Sequence, residues 1–254
     1  MKRFCLLPLV LLLLFLVACS SGAPAVPASV PTPRPTPGIT PTPTFPNIPS
    51  HPVHFLTSDH VQLAGLLYGH GKTMVICSHE LRTTKDIWSE SGIPQRLALR
   101  GYLVLAYDFR GNGDSAGQPD ITKLAVDLSA AVSFARQQGA TKIVLLGSSM
   151  GGTATLKVAA SEQVAAVITL SAPQDFGVTV SDNDVKAISA PKLFVNSQDD
   201  GYASDTMHMY ATANLPKELQ MYPGVAHGTD IFVENGDDLT QRILNFIERY
   251  ALAS

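Results

Sequence analysis

The sequence has few cysteines and few charged residues, and each scarcity excludes a class of protein. Only three of its 254 residues are cysteine, and two of these lie within the first 19 residues, so the body of the chain retains Cys77 alone. This number excludes a fold held by disulfides and a cysteine-based metal cluster. Charged residues make up 15% of the chain, the net charge is −3, and no run of lysine and arginine occurs. These values do not indicate a basic surface that would bind nucleic acid.

The first apolar run is too short to span a membrane. A basic start, Met-Lys-Arg, precedes an almost unbroken apolar stretch over residues 4–18, about 15 residues where a spanning helix needs roughly 20. We interpret residues 1–18 as a signal peptide. The stretch ends in Leu-Val-Ala-Cys19, which resembles the bacterial lipobox, where the cysteine is diacylated and becomes the new N-terminus. The resemblance implies an exported protein of the cell envelope, anchored to the membrane through Cys19; an uncleaved N-terminal anchor is the alternative.

Residues 19–51 are predicted to form a tether rather than a fold. Ten of the 31 residues from 20 to 50 are proline, many alternate with threonine, and Arg34 is the only charge. Such a segment buries too little apolar surface to fold and favours extended polyproline II conformations. At about 3.1 Å per residue, it would hold the following domain up to roughly 100 Å from its anchor. We interpret it as a spacer across a cell-envelope layer, with a plain disordered tail as the alternative.

Residues 52–254 predict a single α/β domain. Short apolar runs alternate with stretches of helical spacing, a pattern that indicates βαβ units and a mostly parallel sheet with helices on both faces. Cys77 lies within such an apolar run and is expected in the core. The predicted strands cover residues 53–57 and 62–68, as an antiparallel pair, and 74–78, 102–107, 143–146, 164–170, 192–196 and 219–222. The predicted helices cover residues 86–100, 121–138, 203–214 and 237–250, besides an alanine-rich helix after Gly147–Gly151.

A Gly-x-Ser-x-Gly pentapeptide, Gly147–Gly151, joins the strand over residues 143–146 to the alanine-rich helix. At a strand-to-helix junction this pattern is the nucleophile elbow, a strained turn that presents a serine, here Ser149, beyond the edge of the sheet. The pentapeptide alone is expected by chance in roughly one chain of this size in ten. A glycine-rich loop that caps a helix is therefore the alternative, and the rest of the chain decides between the two.

Three further motifs accompany the elbow in the chain. The segment DFRGNGDS over residues 108–115 resembles the D-x-R-G-H-G-x-S loop of the α/β-hydrolase family, with Asn112 where histidine is usual. KLFVNSQDD over residues 192–200 resembles the strand and turn that deliver the family's acid, and YPGVAHG over residues 222–228 resembles its histidine loop. Together with the elbow, these motifs make residues 52–252 resemble that family. The resemblance implies the α/β-hydrolase fold, whose ligands bind at the carboxyl ends of the strands.

A serine hydroxyl needs a base in contact, and histidine is the side chain suited to that role. Ser149 is the predicted nucleophile, and His227 is the predicted base because its glycine-flanked loop lies between the last strand and the last helix. The other histidines fall at the N-terminal edge, after a hairpin strand or within a helix: His51, His54, His60, His70 and His208.

The third member of the triad orients the imidazole and stabilises its charged form. Asp199 and Asp200 both end the strand that begins at Lys192. Alignment of Ser197 with the usual glycine of the family's G-x-x-D turn favours Asp200, and Asp199 stays open as the alternative. The resulting order of serine, aspartate and histidine is the one expected for this fold.

Attack on an acyl carbon creates an oxyanion that preorganised N–H groups must stabilise. The N–H of Met150, which follows the nucleophile, is one predicted donor. Alignment of His79 with the family's His-Gly motif makes the N–H of Leu81 the second. Glu80 stands in place of that glycine, and it could narrow the site or bring a carboxylate close to the developing negative charge.

The resemblance implies a serine hydrolase without metal or cofactor. The segment between residues 170 and 191 is too short for a large lid domain, so the site is expected to be open and to suit a small or soluble ester or thioester, cleaved through an acyl-enzyme. A non-catalytic surface-binding lipoprotein on the same fold is one alternative, motivated by Asn112 and Glu80. An acyltransferase, which would use the same residues, is another. The sequence leaves the oligomeric state unknown.

Overall fold

The computed structural model describes residues 48–253. The predicted signal peptide, Cys19 and nearly all of the predicted tether lie outside these residues. Across residues 48–253, no helix combines the length and the apolar character that crossing a membrane requires.

An eight-stranded sheet forms the centre of the domain. Its strands are β1 (Ser50–Leu56), β2 (Gln62–Gly69), β3 (Thr73–Ser78), β4 (Leu103–Tyr107), β5 (Lys142–Ser148), β6 (Ala166–Leu170), β9 (Lys192–Ser197) and β10 (Lys217–Tyr222). Two further strands, β7 (Asp175–Phe176) and β8 (Val178–Thr179), form a separate hairpin. The strand order is β1-β2-β4-β3-β5-β6-β9-β10. Strand β2 pairs antiparallel with both of its neighbours, β1 and β4. The other six strands of this sheet, in the order β4-β3-β5-β6-β9-β10, are parallel.

Helices cover both faces of this sheet. They are α1 (Asp86–Ser91), α2 (Ile93–Ala98), α3 (Leu124–Gln137), α4 (Met150–Ala159), α5 (Asp182–Ala187), α6 (Ala203–Thr212) and α7 (Ile231–Tyr250). Strand β3 is buried throughout, and its residues alternate between two cores because successive side chains point to opposite faces. Met74 packs with α3 to α6, while Val75 and Cys77 pack with α1, α2 and α7. The predicted α/β-hydrolase-like layering is therefore confirmed, and burial raises the pKa of the Cys77 thiol.

The helix predicted over residues 86–100 is wrong in one respect, because the structure contains two helices there. Gly92 separates α1 from α2 and adopts a left-handed conformation with φ 72°. Pro94 follows at the start of α2, where a residue without an N–H is tolerated. Trp88, Ile93 and Leu97 are nevertheless all buried, so both helices present one apolar face.

Other parts of the structure also differ from the sequence prediction. The first strand begins at Ser50, so residues 50 and 51 of the predicted tether belong to the sheet. The last helix begins at Ile231 rather than residue 237, with a kink at Asn235. Between β6 and β9 the structure contains the β7–β8 hairpin and α5, which were not predicted. Within the described residues, no large lid domain occupies this segment.

Candidate active site

Ser149 lies at the junction of β5 and α4, at the carboxyl edge of the sheet. Its backbone has φ 48° and ψ −116°, a region that side-chain-bearing residues rarely occupy. Its N–H donates to the carbonyl of Leu170 at 2.7 Å, which holds the turn against β6. The residue is only 5% exposed, so the predicted nucleophile is almost fully covered.

The glycines of the elbow allow β5, α4 and β3 to approach one another closely. A Cβ atom on Gly147 would collide with the backbone of Gly151, and a Cβ atom on Gly151 would collide with the carbonyl groups of Ser78 and His79. Backbone atoms cannot rotate away as a flexible side chain can. The two glycines therefore bring the first turn of α4 beside the loop that follows β3.

The structure brings together the three residues predicted for the triad. His227 Nε2 lies 2.8 Å from Ser149 Oγ, and its Nδ1 lies 2.7 Å from Asp200 Oδ2. An ionised carboxylate only accepts hydrogen bonds, so Nδ1 carries the proton and Nε2 can accept the proton of the serine hydroxyl. The Asp200 side chain is 4% exposed and the imidazole is 33% exposed. The acid is therefore buried behind a histidine that solvent and substrate can reach.

Of the two acidic residues at the end of β9, Asp200 contacts the histidine. Its second carboxylate oxygen, Oδ1, accepts the N–H of Tyr202 at 2.8 Å, so both oxygens are engaged. The ring of Tyr202 lies 5.6 Å from the ring of His227, centroid to centroid. Asp199 is exposed, and its N–H donates to the carbonyl of Gly224 at 3.0 Å. That bond ties the turn after β9 to the histidine loop.

The two residues predicted to form the oxyanion hole belong to the two segments that the elbow glycines bring together. Met150 is the first residue of α4, and Leu81 lies in the loop after β3. Among residues 48–253, neither N–H has a hydrogen-bond acceptor. A free N–H at a helix N-terminus is a favourable site for negative charge.

His79 anchors the loop that carries Leu81. Its ring is buried: Nδ1 donates to the carbonyl of Glu80 at 2.8 Å, and Nε2 accepts the N–H of Phe109 at 3.1 Å. The second bond requires an unprotonated Nε2, which fixes a neutral tautomer. Burial lowers the pKa of His79. The neutral ring therefore connects the ends of β3 and β4 through two hydrogen bonds.

Comparison with solved structures identifies the architecture. The α/β-hydrolase GrgF of Penicillium superposes with a TM-score of 0.70 at 22% identity, over 80% of this chain and 99% of that chain. An esterase of Pyrococcus furiosus superposes with a TM-score of 0.69 at 18% identity, over 80% of this chain and 93% of that chain. The chain has the α/β-hydrolase fold.

Sequence comparison finds similarity over about half of the chain. A family model described as serine aminopeptidase, S33, matches residues 72–180. The quorum-quenching protein AidA of Acinetobacter baumannii is 31% identical over 135 residues, which cover 48% of this chain and 44% of that protein. The chain thus spans less than half the length of this curated relative. The part of the chain that the structure describes contains no cluster of residues suited to holding a metal ion.

The loop over residues 108–115 is held in place by charged and polar contacts. Asp108 accepts hydrogen bonds from the backbone N–H and the Nζ of Lys85, each at 2.7 Å. Arg110 pairs with Asp127 at 2.7 Å. Asn112, which replaces the family's usual histidine, donates to the carbonyl of Arg110 at 3.0 Å. These contacts lie within the loop and its supports, so they give Asn112 a structural role in the turn.

Two polar residues, Ser171 and Glu80, hold the histidine loop and were not predicted to do so. Ser171 accepts the N–H of Gly228 at 2.9 Å and donates to Asn196 at 2.6 Å. It is fully buried and has φ 48°. Glu80 accepts hydrogen bonds from Thr229. A serine after a buried strand is too common for its sequence position to predict this contact, whereas the departure of Glu80 from the family motif was an available signal.

Proposed function

We propose that the protein is a serine hydrolase that cleaves a carboxylic ester or thioester of a small or soluble substrate. The observation that carries this proposal is the chain of hydrogen bonds from Ser149 through His227 to Asp200. The two N–H groups of Met150 and Leu81, which have no acceptor within the described residues, complete the set of groups that acyl transfer requires.

In the first half of the proposed reaction, the acyl group moves from the substrate to Ser149. The hydroxyl oxygen attacks the acyl carbon as His227 Nε2 takes its proton, and Asp200 stabilises the resulting imidazolium. The N–H groups of Met150 and Leu81 donate to the oxyanion. Collapse of this intermediate breaks the bond to the leaving alcohol or thiol, which receives the proton from His227.

In the second half, water releases the acyl group. His227 removes a proton from water as the oxygen attacks the acyl-enzyme, and it returns that proton to Ser149 when the serine oxygen departs. The products are a carboxylic acid and the regenerated enzyme. Transfer to another alcohol would use the same groups, with that alcohol in place of water.

The openness of the site supports a small or soluble substrate. The imidazole of His227 is 33% exposed, and the segment between β6 and β9 holds only a two-residue-strand hairpin and the six-residue α5. A deep tunnel for a long lipid chain would need more covering structure than this segment provides. The esterase name of the Pyrococcus furiosus neighbour adds support for ester substrates.

The proposal is tested by hydrolysis of p-nitrophenyl esters of graded chain length and by labelling with a fluorophosphonate. We expect turnover of short esters, labelling at Ser149, and a loss of roughly 10⁴-fold or more in kcat for Ser149→Ala. The Ser161→Ala variant is the matched control, because Ser161 is an exposed serine at the far end of α4. It should retain the wild-type rate.

Other outcomes of the same assays would replace the proposal. A folded protein whose Ser149 does not react with the fluorophosphonate would favour the non-catalytic binding lipoprotein. Cleavage of aminoacyl p-nitroanilides without cleavage of esters would favour a peptidase, as in the description of the matched family model. Acylation of an added alcohol in preference to water would favour an acyltransferase.

The location that we propose for this activity is the cell envelope, with Cys19 as the lipidated residue. The support is the basic, apolar and Leu-Val-Ala-Cys order of the first 19 residues. Two acyl chains on one residue give stable attachment where a single chain gives marginal binding.

A further inference from the structure

The carboxylate of Glu80 accepts three hydrogen bonds from two other segments. Oε2 accepts the hydroxyl of Ser148 at 2.5 Å and the N–H of Thr229 at 3.1 Å, and Oε1 accepts the hydroxyl of Thr229 at 3.1 Å. Ser148 is fully buried and Thr229 is 6% exposed. The carboxylate is therefore a fixed part of the structure, with both of its oxygens committed to protein donors.

These bonds connect the neighbours of two proposed catalytic residues. Ser148 immediately precedes Ser149, and Thr229 is the second residue after His227. The intervening Gly228 has φ 57°, and a Cβ atom there would collide with the Glu80 carboxylate and with Ser148 Oγ. The absence of a side chain at this glycine thus allows the histidine loop to lie directly against the carboxylate.

We infer that Glu80 is a positioning residue that holds the His227 loop against the elbow, so that His227 Nε2 stays within hydrogen-bond distance of Ser149 Oγ. This inference rests on the proposed function. It also gives a role to Glu80, which stands where the family has glycine and which, from the sequence, could disturb the oxyanion hole. The carboxylate of Glu80 is engaged beside the elbow and the histidine loop.

The expected size of the effect follows from geometry. Charge-assisted hydrogen bonds are stronger than neutral ones, and three of them join Glu80 to Ser148 and Thr229, which lie one and two residues from Ser149 and His227. A displacement of about 1 Å between reacting groups can lower the rate by about 100-fold. We therefore expect Glu80→Ala to lower kcat by about 10-fold to 100-fold. KM should change by less than about threefold, because no contact with the substrate is removed.

Glu80→Gln is the conservative variant that separates position from charge. Its amide oxygen can accept the bonds from Ser148 and from the N–H of Thr229, while its amide nitrogen can donate to the Thr229 hydroxyl. We expect Glu80→Gln to retain kcat within about fivefold of the wild type, since neutral hydrogen bonds are roughly half as strong. A Glu80→Gln variant as slow as Glu80→Ala would overturn the inference, because the negative charge and not the position would then be responsible.

Substitutions at Thr229 test whether Glu80 acts through the histidine loop. Thr229→Val removes one of the three donors, and Thr229→Ser retains it. We expect a lower kcat for the valine variant, wild-type kcat for the serine variant, and no further effect of Thr229→Val when Glu80 is already alanine. Additive effects in the double variant would mean that the two residues act independently, and this result would overturn the inference. The Thr229 pair also provides the test if Glu80→Ala does not fold.

A spectroscopic readout separates this inference from the proposed function. The His227 Nδ1–H proton, bonded to Asp200 at 2.7 Å, should give a low-field proton NMR signal that needs no substrate. We expect this signal in the wild type and in Glu80→Gln, and its weakening or loss in Glu80→Ala. A wild type that shows this pattern without hydrolysing any ester would overturn the proposed function alone. An unchanged signal and kcat in Glu80→Ala would overturn the positioning role alone.

The matched control is Glu162→Gln. Glu162 is also a partly buried glutamate, 20% exposed in its side chain, and it pairs with Arg136 at 2.9 Å. It lies between α4 and β6, at the amino edge of the sheet opposite the triad. We expect this variant to keep the wild-type kcat and NMR signal, with thermal melts to compare its stability with that of the Glu80 variants.

Discussion

At the scale of single residues, the surroundings of His79 keep its imidazole neutral. The ring is buried between the ends of β3 and β4, where it donates to one backbone carbonyl and accepts from one backbone N–H. A proton on Nε2 would abolish the second bond and place a charge in the core. Folding therefore disfavours the protonated ring, in agreement with the lowered pKa of His79.

This neutral ring predicts a specific dependence of stability on pH. The unfolded histidine has a pKa near 6.5, and the folded value is lower, so below about pH 6.5 the unfolded state binds more protons. The stabilisation is complete above that pH and is lost as the pH falls toward the folded pKa, with a slope of at most about 1.4 kcal/mol per pH unit. Urea unfolding between about pH 5 and pH 7 measures the slope.

The control for this prediction is the His79→Asn variant, which cannot titrate. We expect its free energy of unfolding to vary less with pH in that window than the free energy of the wild type. Carboxylates with lowered pKa, such as Asp114 and Asp182, titrate at lower pH, and the groups that the two proteins share cancel in the difference between their slopes. Equal slopes for the two proteins would contradict the prediction.

Some roles of single residues could be proposed from the sequence and others could not. Ser149, Asp200 and His227 follow one another in motifs at the ends of predicted strands, and the carboxyl ends of parallel strands share one edge of a sheet. The contacts of Glu80 with Ser148 and Thr229 depend on the path of two loops in space. No periodicity or spacing encodes that path, so the role of Glu80 required the structure.

At the scale of elements, the crossing of β5 and α4 determines where the proposed nucleophile lies. A Cβ atom on Gly147 would be 2.5 Å from Thr155 Oγ1 and even closer to the backbone of Gly151. Thr155 is fully buried, so neither its side chain nor the backbone of Gly151 can move aside to make room for a methyl group. The separation between strand and helix is thus fixed by the absence of a side chain at one position.

This crossing predicts the effect of Gly147→Ala. The added methyl group would push α4 away from β5, which should cost about 1–3 kcal/mol of unfolding free energy and lower the proposed rate of ester hydrolysis by displacing Ser149. Gly236→Ala is the control, because no atom lies within 4 Å of the added methyl group and alanine favours a helix by about 0.5–1 kcal/mol over glycine. Chemical denaturation and the p-nitrophenyl ester assay measure both effects. Equal stability of the two variants would contradict the prediction.

The elements that periodicity predicted well are those with long buried faces. The break at Gly92 was missed because Trp88, Ile93 and Leu97 keep helical spacing across it; the glycine followed by Pro94 was the available signal. Helix α5 was missed because it buries only Val185, which leaves no periodic apolar pattern. Its signal was the capping box that joins Ser181 to Asp184, a polar pattern that apolar spacing does not detect.

At the scale of the whole molecule, the proposed membrane attachment predicts covalent lipid at Cys19. We expect the full-length chain, produced in a bacterial host that is fed labelled palmitate, to carry the label, and Cys19→Ala to lack it. Cys5→Ala is the matched control, since this cysteine lies within the predicted signal peptide and should not affect the labelling. Mass spectrometry of the N-terminal peptide should place two acyl chains on Cys19. An unlabelled wild type that retains residues 1–18 would instead support the uncleaved anchor.

The strained backbone of Ser149 also bears on how such a chain would evolve. A non-glycine residue at φ 48° costs roughly 1–3 kcal/mol, out of the 5–15 kcal/mol that typically stabilise a folded protein. A lineage that no longer used this hydroxyl could remove the strain with one substitution to glycine and would become more stable. After a loss of activity, Ser149 would therefore be among the first residues of the site to be substituted. The buried residues that support it, such as Ser148 and Thr229, could be retained for longer.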